Sequence, residues 1–253
     1  MLIAGILAFG LFLSIRSVSH ELEFVKLKSD FVSSVSHELK SPLTSIRQLA
    51  EMLQSNRVPT EERRQKYYDV IVEQSKRLSL MIGNVLDFAK MEDGRKQFKF
   101  ELTDMGQFLH EAIAVIQQQV SHQEFEINVI IATTLPTIAI DRNAIAQAIT
   151  NLLDNAIKYS KLIKIVNVAS FLKDGYLYII IQDFGVGIDK KEMSKIFDRF
   201  YRANNEFIRS KRGSGLGLTL VKQIIQAHHG AIEIDSEPGK GSTFTIKLPI
   251  RGF

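Results

Sequence analysis

The sequence predicts an α+β protein. An N-terminal helical hairpin, forming a dimeric four-helix bundle, is followed by an α/β sandwich with a mixed sheet. Before Gly94, two long stretches carry apolar residues at helical spacing, whereas the chain after Gly94 alternates irregularly between strand-like and helix-like segments. Several consecutive strands near the end favour a mixed sheet on one layer of helices over a doubly wound parallel sheet.

The composition is that of a folded globular protein, because 45% of the 253 residues are hydrophobic and 24% are charged. The formal net charge of +4 comes from basic residues scattered among acidic ones, so no nucleic-acid partner is expected. The absence of cysteine excludes disulfides and thiolate metal sites, and it fits a reducing compartment.

The first element, residues 1–15, is almost entirely apolar and has no polar face. It is a little shorter than a spanning helix usually requires, so we interpret it as a membrane anchor or a truncated transmembrane helix. A buried helix of a soluble domain is the alternative. Arg16, Lys26 and Lys28 follow this element. By the positive-inside rule, they predict that the rest of the chain is cytoplasmic.

Residues 16–92 are predicted to form the helical hairpin. Apolar residues of the first helix recur at steps of three, four and seven, and a bend is expected at Pro42. Thr60, followed by two acidic residues, is predicted to cap the second helix, which ends before the turn at Gly94. One hairpin cannot bury both apolar stripes, so two copies are expected to pack as a homodimer.

Residues 93–253 are predicted to form the α/β sandwich. The segments with strand patterns are FKFEL, EFEINVII, TIAID, IKIVNVASFL, YLYIIIQD, AIEID and TFTIKLPI. The segments with helical patterns are DMGQFLHEAIAVIQQQV, RNAIAQAITNLLDNAIKYS and GLGLTLVKQIIQAHH.

Several short elements of this second region suit a nucleotide. Asn151 and Asn155 lie four residues apart on a predicted helix and share a face, and amide oxygens suit magnesium that bridges phosphates. Asp183 follows a strand, where its carboxylate could accept the amino group of adenine. Glycines that open the last helix offer backbone donors to phosphate. Each signal alone is weak, because asparagine pairs also occur on solvated faces and glycines also mark turns.

The triplet Asp183-Phe184-Gly185 also occurs as the metal-binding triplet of eukaryotic-type protein kinases. Those enzymes need a glycine-rich loop near their start, a strand lysine and a His-Arg-Asp loop, and the sequence contains none of them. The sequence has no Gly-x-x-x-x-Gly-Lys-Ser/Thr phosphate loop. The segment GSGLGL is not a dinucleotide-binding fingerprint either, because a charged run rather than a strand precedes it. The triplet therefore belongs to a different kind of site.

From about Leu27 to Ile250, the chain resembles the cytoplasmic core of bacterial sensor histidine kinases of two-component signalling. The resemblance lies in a phospho-acceptor box, an asparagine box, two glycine boxes, a phenylalanine box and a C-terminal strand pair. These read FVSSVSHELKSPLTSIR, NLLDNAIKYS, DFGVGI, GSGLGL, FDRFYR and EPGKGSTFTIKLP. The resemblance implies a dimerisation and histidine-phosphotransfer hairpin, followed by an ATP-binding domain of the gyrase, chaperone, histidine kinase and mismatch-repair superfamily.

The resemblance implies that His37 attacks the γ-phosphorus of ATP, while Glu38 orients the imidazole. His20 lies in a second VSHEL segment, but it faces another side of the helix and is not followed by the family's Lys-Ser-Pro-Leu. The phosphoryl group would then pass to an aspartate in the receiver domain of a response regulator. Ser41 stands where the family usually has Thr or Asn, so phosphatase activity stays open.

The boxes further imply the cofactors ATP and Mg²⁺, with Asn155 as a ligand of the metal. The apolar segment 1–15 and the basic residues after it predict a place at the inner (cytoplasmic) membrane, with the catalytic core in the cytoplasm. The implied ATP-binding residues are Asn151, Asn155, Lys158, Tyr159, Asp183, Gly185, Gly187, Ile188, Phe197, Phe200, Arg202, Gly213, Gly215, Leu216, Gly217, Leu218 and Thr243.

Two other classes of protein are weighed against this interpretation. A pure ATPase or conformational clamp of the same superfamily would share the asparagine and glycine boxes but would not need the SHELKSPL segment. A non-catalytic scaffold should have lost a residue from one of the boxes, and none is lost.

Overall fold

The structure is a computed structural model that describes residues 2–55, 58–120, 125–202 and 215–250. The chain divides into two compact units, Met1–Met81 and Ile82–Phe253, and the division falls inside a helix. The assignment of 1–15, 16–92 and 93–253 to separate domains stays a prediction.

The first unit consists of helix α1, Leu2–Gln54, and the first part of helix α2, Glu61–Glu92. The cap predicted for α2 is present, because Thr60 Oγ1 accepts a hydrogen bond from the Arg63 backbone N–H over 3.3 Å. Helix α1 includes the apolar N-terminal segment and continues through the buried Pro42 without a break in helix assignment. In the described part of the chain, no helix has a stretch both long and apolar enough to span a membrane.

Within the described residues of the second unit, three helices follow α2. They are α3, Met105–Val120; α4, Arg142–Tyr159; and α5, Gly217–Ala227. The strands are β1, Glu101–Asp104; β2, Glu126–Ile131; β3, Thr137–Ile140; β4, Ile165–Lys173; β5, Tyr176–Asp183; β6, Ala231–Glu237; and β7, Gly241–Pro249.

Five of these strands form one mixed sheet in the order β2-β4-β5-β7-β6. Strands β2 and β4 are parallel, whereas all other neighbours in this sheet are antiparallel. Strands β1 and β3 form a separate antiparallel pair. The predicted α+β class and mixed sheet are therefore confirmed.

The helices cover one face of the sheet, with α4 packed against both α3 and α5. Alternate residues of the central strands point into this core. On β5 and β7 they are Leu177, Ile179, Ile181, Phe244, Ile246 and Leu248. The other face carries polar side chains such as Asn167, whose amide bonds Gln182 over 3.1 Å. Because side chains alternate, Asp183 at the end of β5 lies on the same side as the core.

Candidate active site

Asp183 is a carboxylic acid at the edge of the hydrophobic core, and only 6% of it is exposed. Burial raises the pKa of this carboxyl group from 3.8 to about 6, although hydrogen bonds from the backbone N–H groups of Gly185 and Ser242 act in the opposite direction. The bond from Gly185 N–H to Asp183 Oδ1 measures 2.8 Å. Asp183 is therefore a fixed acceptor that is mostly ionised at neutral pH.

The loop after β5 approaches two other backbone segments so closely that it needs glycine. A Cβ atom on Gly185 would lie 2.4 Å from the carbonyl oxygen of Tyr159, the last residue of α4. Gly187 has φ +66°, and a Cβ atom there would lie 2.0 Å from the carbonyl oxygen of Glu237. The glycines of the DFGVGI segment thus let this loop pack between the end of α4 and the turn that joins β6 to β7.

Hydrogen bonds connect the same loop to the β6–β7 hairpin. Val186 accepts a hydrogen bond from Gly239 N–H over 2.8 Å, and Ile188 N–H donates to Ser236 Oγ over 2.8 Å. Ser236 Oγ also lies 2.8 Å from the Gly241 carbonyl oxygen and 2.9 Å from Ser242 Oγ.

Ser242 and Thr243 lie on opposite faces of the sheet. Asp183 is paired with Ser242, which is 6% exposed, and Thr243 is paired with Gln182 on the polar face. The structure therefore does not bring Thr243 together with Asp183. Sequence reasoning missed Ser242, although the alternation of β7 around the buried Phe244 contains the signal that identifies its face.

Helix α4 positions the asparagine box. Its N-terminus is capped by Asp141, whose Oδ1 accepts a hydrogen bond from Ala144 N–H over 3.0 Å. The amide nitrogen of Asn151 is buried and has no hydrogen-bond partner within the described residues. Asn155 and Lys158 are half-buried further along α4, and the Lys158 ammonium lies 4.9 Å from the centre of the Tyr159 ring.

The start of α5 lies beside this helix. A Cβ atom on Gly217 would lie 3.5 Å from Asn151 Oδ1, so the two segments are in van der Waals range there. Leu216 is buried and Leu218 is half-buried, and among the residues that the structure describes no side chain caps α5. The N-terminus of α5 thus lies beside Asn151. Gly213 lies outside the described residues.

The phenylalanine box packs between the core and the end of α2. The Phe197 ring meets Phe244 of the core edge-on, with centroids 6.5 Å apart, and the Phe200 ring meets Phe88 at 5.4 Å. Phe200 has φ +65°, which is uncommon for a bulky residue.

Arg202 follows the phenylalanine box and contacts the second glycine segment. A Cβ atom on Gly215 would lie 3.3 Å from Arg202 Cγ. This segment therefore lies against the residues that follow the phenylalanine box.

The predicted phospho-acceptor residues belong to the first unit. His37 is exposed on α1, and both Glu38 and Ser41 are half-buried. The Oε1 atom of Glu38 is buried and has no hydrogen-bond partner within the described residues. The side chain of His20 is outside the described part of the chain. His37 and Glu38 are consecutive in the sequence, and an exposed imidazole can act as a nucleophile when a carboxylate accepts its second ring proton.

Comparison with protein families gives two matches. Residues 27–94 match the His Kinase A (phospho-acceptor) domain, and residues 140–252 match the histidine kinase-, DNA gyrase B-, and HSP90-like ATPase domain.

Curated relatives match nearly the whole chain. Sensor protein RprX of Bacteroides fragilis is 32% identical over 99% of this chain and 49% of its own length. The sensor-like histidine kinase SenX3 of Mycolicibacterium smegmatis is 34% identical over 88% of this chain and 57% of its own length. The chain spans about half the length of these relatives.

Solved structures share the fold. The Acinetobacter baumannii histidine kinase AdeS is 22% identical with a TM-score of 0.62, and the match covers 85% of this chain and 98% of that one. Full-length ShkA, crystallised with AMPPNP, is 25% identical with a TM-score of 0.63, and the match covers 87% of this chain and 46% of that one.

Proposed function

Because the chain belongs to the sensor histidine kinases of two-component systems, we propose that it phosphorylates itself on His37 with ATP and passes the phosphoryl group to an aspartate of a response regulator. Nucleotide binding is inferred from the buried Asp183 carboxylate, which lies between the glycine loop and the β6–β7 hairpin. The role of His37 as phosphoryl acceptor is inferred from its exposed position on α1, directly before Glu38 in the sequence.

In the proposed first step, a neutral ring nitrogen of His37 attacks the γ-phosphorus of ATP. The nitrogen–phosphorus bond forms as the bond to the β–γ bridging oxygen breaks, and ADP leaves. The proton on the other ring nitrogen is held or accepted by Glu38. The buried and unpaired Oε1 of Glu38 supports this role, because an unpaired carboxylate oxygen retains its capacity to accept.

The adenine base is proposed to bind through its amino group to Asp183. A carboxylate can only accept hydrogen bonds, and adenine offers an amino donor where guanine offers an oxygen. The fixed position of Asp183, through its bond from Gly185 N–H, supports this recognition.

The phosphates are proposed to bind beside α4 and the start of α5. The unpaired amide nitrogen of Asn151 is a donor that suits a phosphate oxygen, and it lies beside the N-terminus of α5, where the helix dipole favours negative charge. Lys158 and Arg202 would add positive charge. The remaining predicted contacts, Gly213 and Thr243 among them, stay expectations.

The amide oxygen of Asn155 would hold Mg²⁺, and the donor type fits, since Mg²⁺ prefers oxygen ligands and keeps several waters. Within the described residues, no group of three or more His, Cys, Asp or Glu side chains could hold a metal ion. The proposed Mg²⁺ site therefore uses the Asn155 amide oxygen together with phosphate oxygens and water. When bound, the metal would offset the charge that develops on the phosphates.

A homodimer is proposed from the exposed side of α1. Five large apolar side chains share one face there at helical spacing, and all are exposed in the single chain. They are Val18, Leu22, Val25, Val32 and Leu43. Sedimentation equilibrium tests this proposal, and a chain that stays monomeric at micromolar concentration would contradict it.

Attachment to the inner membrane through residues 1–15, with the catalytic core in the cytoplasm, is proposed from the apolar character of this segment. Flotation of the chain with lipid vesicles tests it. A variant that lacks these residues should stay at the bottom of the gradient, and equal flotation of both would contradict the proposal.

The central test is incubation with labelled ATP and Mg²⁺. The chain should gain a label that is labile in acid and stable in base, as a phosphohistidine is. The His37→Gln variant should gain none while still binding ATP, and the matched His20→Gln variant should label normally. Acid-labile label on the His37→Gln variant would refute the assignment, and nucleotide hydrolysis without any label would favour a pure ATPase.

A further inference from the structure

Within the described part of the chain, the side chain of Ser236 on β6 makes three polar contacts. Its oxygen lies 2.8 Å from the Ile188 nitrogen, 2.8 Å from the Gly241 carbonyl oxygen and 2.9 Å from the Ser242 hydroxyl. The three partners belong to the loop after β5 and to the start of β7. Ser236 therefore contacts both segments that surround Asp183.

The chemistry of the three partners fixes the direction of each hydrogen bond. A serine hydroxyl has one proton to donate and can accept two bonds. The Gly241 carbonyl can only accept, so Ser236 donates its proton there, and the Ile188 N–H can only donate. The remaining bond must then be donated by Ser242. This uses the only hydroxyl proton of Ser242, whose oxygen is left with acceptor capacity alone.

Ser242 lies directly opposite Asp183 in the pairing of β5 with β7, so both side chains are on the core side of the sheet. Both residues are 6% exposed. The backbone N–H of Ser242 also bonds the Asp183 carboxylate. Two groups that can only accept, a carboxylate and a hydroxyl oxygen, are thus neighbours at the proposed base-binding position.

We propose that Ser236 determines the base selectivity of the nucleotide site, because it holds the Ser242 hydroxyl as an acceptor beside Asp183. This inference deepens the proposed function and rests on it. Ser236 acts through Ser242 and is a positioning residue. The oxygen pair matches the 6-amino group of adenine, which donates, and opposes the 6-oxo group of hypoxanthine, which accepts.

Replacing Ser236 by alanine frees the hydroxyl proton of Ser242. That hydroxyl could then rotate and donate a hydrogen bond to a 6-oxo group, so hypoxanthine would bind more tightly than it does in the wild-type chain. The expected effect is on discrimination between bases. One neutral hydrogen bond of this kind changes affinity by about fivefold.

The test compares ATP with inosine triphosphate, which differ at the 6-position of the base. Each nucleotide displaces a fluorescent ATP analogue from the full chain, and the ratio of the two dissociation constants is the readout. Ser236→Ala should reduce the preference for ATP about fivefold, mainly through tighter binding of inosine triphosphate. Ser236→Thr, which keeps the hydroxyl, should retain the preference.

Ser170→Ala is the matched control. Ser170 is a serine of the same sheet, more buried than the half-buried Ser236 at 4% exposed, and its hydroxyl has no hydrogen-bond partner within the described residues. Its removal should leave the ratio unchanged. A Ser236→Ala chain that weakens both nucleotides equally, or changes neither, would overturn the inference.

Ser242→Ala provides a second measurement that does not depend on the folding of the first variant. It removes one of the two acceptors, so it should also reduce the preference for ATP. In that background, Ser236→Ala should have no further effect on the ratio. An unchanged ratio in Ser242→Ala, or effects of the two changes that simply add, would refute the role of Ser236. A wild-type chain that binds no nucleotide would refute the proposed function itself, and this inference with it.

Discussion

Asp183 should lower the stability of the second unit at neutral pH, and the Asp183→Asn variant measures by how much. Burial raises the pKa of the carboxyl group from 3.8 to about 6 in the folded chain. The folded state therefore binds this proton more strongly than the unfolded state. The ionised form costs about 3 kcal/mol of folding free energy above pH 6, and this cost disappears as the pH falls from 6 towards 3.8.

The variant isolates this cost because asparagine cannot ionise. Asparagine also keeps only part of the bonding from Gly185 and Ser242, so the absolute stability of the variant contains a second, pH-independent contribution. The informative quantity is the change with pH of the difference between variant and wild type. Between pH 7.5 and pH 5, the advantage of the variant should shrink by about 1.4 kcal/mol, since the wild-type carboxylate becomes protonated.

Differential scanning calorimetry of the full chain measures the difference as a shift of melting temperature, about 3–6 °C over this pH range for a unit of this size. Ser170→Ala, which removes no titratable group, is the control and should show a difference that does not change with pH. The reasoning fails if the Asp183→Asn difference stays constant between the two pH values. It also fails if the advantage of the variant grows as the pH falls.

The remaining predictions concern α4 and the glycine loop. Asn155→Asp should reduce Mg²⁺-dependent self-phosphorylation about tenfold or more, because it adds negative charge at the phosphates. Asn143→Asp, at an exposed position of the same helix, serves as the control. If both variants phosphorylate themselves at the same rate, Asn155 does not hold the metal. Gly187→Ala should cost more than about 2 kcal/mol of stability, measured by urea unfolding, because its Cβ would lie 2.0 Å from the Glu237 carbonyl oxygen. Gly175→Ala, also at positive φ but with open space around it, should cost only about 1 kcal/mol, and equal losses would count against the steric argument.

The patterns of single elements were enough to predict most of the second unit. The β5 segment YLYIIIQD is a short run rich in aromatic and β-branched residues, and it forms a strand with buried residues at every second position, ending at Asp183. The mixed sheet followed from the irregular order of strands and helices. These features depend on local periodicity, which a sequence contains directly.

The segment FKFEL shows where local patterns were insufficient. It was predicted as a strand, but β1 begins only at Glu101. The rings of Phe98 and Phe100 instead pack against His228, at 5.6 Å and 5.0 Å between centroids. Tertiary contact with a residue far along the chain determined their place, and alternation alone could not predict it.

His228 is a buried residue that no motif indicated. Its Nε2 accepts a hydrogen bond from Asp141 N–H over 2.9 Å, and its Nδ1 lies 2.8 Å from the Ile224 carbonyl oxygen. Nε2 must therefore be the unprotonated nitrogen, and burial lowers the pKa of the ring further in favour of this neutral form. Asp141 also caps α4, the helix of the asparagine box. A histidine of the structural core thus supports the start of that helix.

The positions of Thr243 and Ser242 show what separates a motif from a site, because the sequence predicts Thr243 whereas Ser242 is paired with Asp183. The C-terminal segment GKGSTFTIKLP contains two neighbouring hydroxyl residues, and either one satisfies the composition of the motif. Strand geometry separates them, because neighbouring side chains point to opposite faces and Phe244, Ile246 and Leu248 define the buried one. Counting back from Phe244 in steps of two places Ser242 on the core side. The pairing with Asp183 then requires the register between β5 and β7, which local sequence does not specify. The face of each hydroxyl residue could thus be predicted from periodicity, but the pairing with Asp183 required the fold.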